Sequence, residues 1–218
     1  MTPATEDSYE SGDNSVLISR DGARAAILRA AGDRLAREPF SSVTLDLIAG
    51  DARLPSTDVR GMFRDMYEVG SAVLDHERAS MHVVQERSSG GTDNPLERLA
   101  LAFRLVGENL ANDIVVRAGV RIAAESRDYF PERRLDPFHT WETFVAAHLT
   151  QAYDRGLLRT DLNLSSTTWI LVAAGMGTKD LLAFHGAWSD AAERLESTAR
   201  HILTLISIPA APAAGTGP

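Results

Sequence analysis

The stretch Thr44-Leu45-Asp46-Leu47-Ile48-Ala49-Gly50-Asp51-Ala52-Arg53-Leu54-Pro55-Ser56-Thr57-Asp58-Val59-Arg60-Gly61-Met62-Phe63 decides the fold. Thr44 is a good helix opener, because its hydroxyl can accept a free backbone N–H, and Asp46 falls in the positive first turn. Leu45, Ile48 and Ala49 then turn inward together. Leu54-Pro55 breaks the pattern. A further short helix is expected over Ser56 to Met62, ended by Phe63.

Working outward, Ala23, Ile27, Leu28, Ala31 and Leu35 make one apolar face of a helix from about Arg20 to Arg37, and Phe40 plugs the turn after it. A long helix is expected from about Met66 to Gln85, so the order is three short helices and then a long one. Ser88-Ser89-Gly90-Gly91 reads as a break. Pro95 opens a helix reaching Asn109, and Ile114 to Ala124 form another. Pro137 to Tyr153 follow, with Trp141, Phe144, Val145, His148 and Leu149 at helical spacing. Two last helices are expected, Ser165 to Phe184 and Ser189 to Ile206. Nothing reads as a strand, no repeat recurs and no heptad run is long enough for a coiled coil. The expected fold is all-α: an N-terminal three-helix helix-turn-helix head over 17–66 and a larger helical body over 67–207. The polar tail 1–16 and the Pro/Ala/Gly/Thr tail 208–218 are expected to be disordered.

Composition bounds the function. The 218 residues are 44% apolar, enough to bury a sizeable core. There is no cysteine, which excludes disulfides, thiolate metal sites and a Cys nucleophile and points to a reducing compartment. The longest apolar stretch, Trp169 to Gly177, is far short of the roughly 20 residues that span a bilayer, and the N-terminus is acidic. The chain reads as a soluble cytoplasmic protein with no membrane partner. Its net charge of −8 is awkward for a protein expected to hold DNA. Between Leu17 and Gly70, eight arginines meet eight acids, so the head is locally neutral. Lys179 is the chain's single lysine.

With Thr44, Ile48, Ala49, Ala52, Leu54, Val59 and Phe63 as its skeleton, the opening stretch resembles the helix-turn-helix of the TetR regulator family. In the body, Val115-Val116-Arg117-Ala118-Gly119-Val120-Arg121-Ile122 and Asp136-Pro137-Phe138-His139-Thr140-Trp141 resemble the γ-butyrolactone receptors of actinomycetes. The resemblance covers about Arg20 to Ile206. It implies a homodimer whose third helices enter successive major grooves of an operator. It also implies a body pocket, lined at Trp141, for a small amphipathic ligand such as a butyrolactone, butenolide or furan. The recognition helix departs from the family: Pro55, Ser56, Thr57, Arg60, Gly61, Met62 and Met66 replace several of its phosphate-binding residues, and Asp58 puts a carboxylate toward the phosphates.

Candidate DNA contacts are Thr44, Ser56, Thr57, Arg60 and Arg64; the two arginines read equally as solvated surface. An indole offers a flat apolar face and one N–H donor, which makes Trp141 the first candidate for the pocket and Phe138, one turn earlier, its second wall. Met81, Phe103, Val120, Phe144 and Met176 are further candidates that also read as plain core. Arg78 reads also as salt-bridged surface. Arg121 is a candidate ligand-polarising group, although the Arg117, Arg121, Glu125 ladder is commonly a salt-bridge row. Ala173, Ala174, Gly175 and Gly177 allow another helix to approach closely, from a second copy or from within the chain.

Catalysis finds little support. The six histidines form no metal-binding pattern, Asp136 and His139 lack a third partner, and there is neither a nucleophile elbow nor a phosphate loop. No enzyme activity, metal or cofactor is expected. The leading expectation is a repressor of secondary-metabolite or signalling genes released from DNA by its ligand. The alternative is a degenerate receptor homologue that binds a small molecule or protein partner with little or no DNA affinity.

Overall fold

The computed structural model describes residues 19–208, so the tail 1–16 and all but the first residue of 208–218 lie outside the described residues. Ten α-helices and three short 3-10 turns build the described chain, and it contains no strand. α1 (Arg20–Leu35) starts at Ser19, whose hydroxyl accepts the Gly22 N–H at 3.1 Å. It stops short of Arg37 because the residue before Pro39 must leave the helical region.

α2 (Leu45–Ala52) opens at Thr44, whose hydroxyl accepts the Leu47 N–H at 3.3 Å, and closes at Arg53 in the left-handed region (φ 55°). α3 (Ser56–Met62) buries Val59 and hands over to the buried Phe63. α4 (Met66–Gly90) begins at Asp65, which accepts the Glu68 N–H at 3.0 Å. It passes the expected end at Gln85 because Ser88 is wholly buried and donates its hydroxyl to the Gln85 carbonyl at 3.1 Å. A helix packed on this side tolerates residues that would end a solvated one.

α5 (Pro95–Asn112) and α6 (Ile114–Ala124) are joined by one residue, Asp113, whose carboxylate accepts the N–H groups of Val115 and Val116. α7 (Ser126–Tyr129) is a single turn that the sequence pattern does not reveal. α8 (Pro137–Asp154) is capped by Asp136, α9 (Leu164–His185) ends at Gly186 (φ 65°), and α10 (Ala191–Ile206) follows a 3-10 turn at Trp188–Asp190. An isolated Leu158–Ser207 bridge ties the α8–α9 connection to the end of α10.

Two cores result. The first joins Ile27, Leu35, Ile48, Val59 and Phe63 of the helix-turn-helix to Val69 and Val73 of α4, Ala118 and Ile122 of α6, and Phe130. It therefore crosses residue 66 without a break. Each such fully buried side chain contributes about 1.5–3 kcal/mol. Gly70 makes the junction possible, since a Cβ there would lie 2.5 Å from the Phe130 ring and 2.6 Å from the Phe40 ring. The second core lies among α5, α6, α8, α9 and α10, around Leu99, Leu149, Leu171 and Leu195. There α5 and α10 touch backbone to backbone at Gly107.

Candidate functional site

The body contains a partly open apolar cavity of about 110 Å³. Its wall takes Met81 from α4, Phe103 from α5, Val120 from α6, Phe138 and Trp141 from α8, and Met176 from α9. These six are sequence-selected candidates that the fold brings together. Trp141 is placed by the helix that Asp136 caps: the carboxylate accepts the N–H groups of Phe138 (3.1 Å) and His139 (2.9 Å), which also hold its pKa below the usual range. The Asp136 and His139 pair is thus a helix cap.

The other three ligand candidates lie outside the cavity. Phe144 meets Trp141 edge-on at 5.7 Å and lies tilted against His148 at 4.4 Å. Arg121 points to the head: its guanidinium donates to the Leu35 carbonyl at 3.4 Å and pairs with Glu125 at 2.8 Å. Glu125 in turn accepts the Phe40 N–H at 3.1 Å. Arg121 is therefore a clamp between α6 and the end of α1, a place where a cation meets unpaired helix carbonyls. Arg117 does the same for α5, donating to the carbonyls of Leu110 and Ala111. Arg78 lines an adjoining outer groove.

Two ionisable groups in the cavity wall escaped sequence reading, Glu77 and Lys179. Glu77 is spaced on α4 like an ordinary surface acid. Gly119 of α6 buries it, for a Cβ there would lie 2.3 Å from the Glu77 Cβ. Burial pushes the Glu77 carboxyl up to about 7, against a smaller opposing effect of Arg78. Lys179 pairs with Asp180 at 2.6 Å.

On the head, every sequence-selected DNA candidate is exposed. Their charges are already engaged. Arg60 forks onto both oxygens of Asp46 (3.0 and 2.9 Å), and Arg64 pairs with Asp65 and Glu68. Hydrogen bonds from Arg60 and Ser56 hold the Asp46 carboxyl below its usual range. The Thr57 hydroxyl donates to Asp58 at 3.4 Å, and the Thr44 hydroxyl caps α2.

The small residues of α9 divide between two faces. Gly175 turns inward, where a Cβ would lie 3.0 Å from the Phe103 ring, while Gly177 meets open space. Ile170, Ala173, Gly177, Leu181 and Phe184 form an exposed stripe at helical spacing, with Phe184 85% exposed. Among the described residues no helix is long and apolar enough to cross a membrane, and no cluster of three acids or histidines is placed to hold a metal.

No protein-family model and no curated relative matches the sequence. Solved structures do. The TetR-family protein CprB from Streptomyces coelicolor, bound to its biological operator sequence, aligns with a TM-score of 0.75 at 23% identity over 87% of this chain and 90% of that one. A γ-butyrolactone receptor described as an ArpA-like protein aligns at 0.67 and 20% identity over 85% and 98%. The SmeT–triclosan complex aligns at 0.67 and 19% identity over 90% and 98%. With its helix-turn-helix head, long α4 and helical body, this chain has the all-α fold of the TetR-family regulators.

Proposed function

We propose that the protein is a ligand-responsive transcription regulator and not an enzyme. The head, 17–66, holds operator DNA, and the body, 67–207, binds a small amphipathic signal and dimerises. The observation that carries this reading is the apolar cavity at Trp141, walled by the same helix, α4, that leaves the head. A ligand favouring one position of α4 changes the spacing of the two heads, and it shifts that balance only by its differential affinity for the two states. A butyrolactone, butenolide or furan suits the flat indole face and apolar wall. The exposed stripe of α9 supports a homodimer, its centre lined by Ala173 and Gly177 for close helix approach. Secondary-metabolite or signalling genes are the targets this reading favours, and the cytoplasm is its compartment.

Selection of the purified protein on a random DNA library, at low and physiological salt, tests the head. Recovery of a palindromic site supports the repressor reading; no enrichment at either salt defeats it. Trp141→Ala tests the body: ligand affinity should fall at least about tenfold with DNA binding intact.

The Asp46–Arg60 pair favours a second reading, a receptor homologue with little DNA affinity that acts as a ligand sink or through a protein partner. Asp58→Lys separates the two. A weak but competent head gains affinity with a steeper salt dependence, whereas a head that does not dock is unchanged.

A further inference from the structure

Beside the apolar cavity lies an open groove of about 760 Å³. The two adjoin, with Glu77, Met81, Ala123, Pro137 and Trp141 in the linings of both. The groove carries more charged side chains. The groove is lined by Arg78 and His82 of α4, by Arg133 and Arg134 of the turn after α7, and by His139 of α8.

Its acids are spoken for. Asp75 is held by Arg133, and Asp136 accepts the first N–H groups of α8. Glu77, at the seam, is half-buried, and burial raises its carboxyl to about 7, so about half of it is neutral at pH 7. Among the described residues neither Arg78 nor Arg134 forms an ion pair, and Arg78 acts only weakly on the neighbouring Glu77. Arg134 moreover adopts a positive φ of 45°, a conformation that costs a side-chain-bearing residue about 1–2 kcal/mol. A guanidinium offers paired donors that match the oxygens of a carboxylate or phosphate.

We propose that the chain's ligand is an amphipathic anion, with its apolar body in the Trp141 cavity and its carboxylate or phosphate group in the groove on Arg78 and Arg134. The assignment rests on the ligand-pocket reading above and deepens it by giving the signal a charge.

Isothermal calorimetry on the full chain, with decanoate, decyl phosphate and uncharged decan-1-ol as probes, tests it. At least one anion should bind about tenfold more tightly than decanol, with the advantage shrinking as salt is raised. The difference between decanoate and decyl phosphate identifies the head group. Arg78→Gln with Arg134→Gln should bring the preferred anion down to the affinity of decanol and leave decanol unchanged. Both side chains are exposed, so the double variant should keep the wild-type circular dichroism. If decanol binds as tightly as the better of the two anions, the charge assignment is wrong while the cavity reading stands. If none of the three binds, or Trp141→Ala weakens none of them, the cavity reading falls and this proposal with it.

Discussion

Glu77 ties the cavity to pH. Its folded-state carboxyl is raised by burial from an ordinary value of 4.5 to about 7, so the folded chain retains a proton that the unfolded chain has lost. Below the ordinary value both states are protonated and the residue costs nothing. As pH rises between the two values the folded state binds more protons than the unfolded one, and stability falls; above about 7 the loss is complete. At about 1.4 kcal/mol per pKa unit, Glu77→Gln should stabilise the protein by about 1–3 kcal/mol at pH 8 and change little at pH 4, as read by thermal unfolding. Trp141 and Phe138 were legible because a single turn of α8 places both on one side. Glu77 was not, because the glycine that buries it lies on another helix.

Two glycines at the scale of the helix give opposite expectations. Gly61 in α3 has open space where a Cβ would go, so Gly61→Ala should stabilise by about 0.5–1 kcal/mol through helix propensity alone. Gly107 in α5 has no room: a Cβ would lie 2.4 Å from the Ala191 carbonyl oxygen and from the Ala192 Cα, both backbone atoms of α10. Gly107→Ala must push the two helices apart and should cost about 2–3 kcal/mol. Urea denaturation of both variants checks the pair, and a mild Gly107→Ala would show that α5 and α10 can slide. Helix starts were read well from the sequence, since Thr44, Asp113 and Asp136 cap within their own chain segment. Helix ends were read less well. α4 outran its serines and glycines because Ser88 is buried against other elements.

Across the whole molecule, the first core runs unbroken from the helix-turn-helix into α4 and α6, and the Arg121–Glu125 clamp grips α1 and the turn at Phe40. This continuous packing is the physical route by which the proposed ligand response would reach the head. The α9 stripe sets the expected assembly. Phe184→Asp should convert a dimer to a monomer in light scattering without lowering the pH 7 helix content, because the side chain is nearly free of its own chain. A wild-type monomer would remove the stripe as an interface.

The sequence by itself determined the all-α class, the order of the main helices and the side of α8 that carries Trp141. Those features follow from a period of 3.6 residues and from caps that act over three or four. Only the tertiary structure decided that Gly175 faces Phe103 while Gly177 faces outward, that Arg121 serves the head, and that Arg60 is engaged by Asp46. It also decided that Glu77 lines the cavity and that Arg78 and Arg134 share a groove. The physical reason is common to all of them: each depends on which distant helix packs alongside, and local spacing carries no record of that partner.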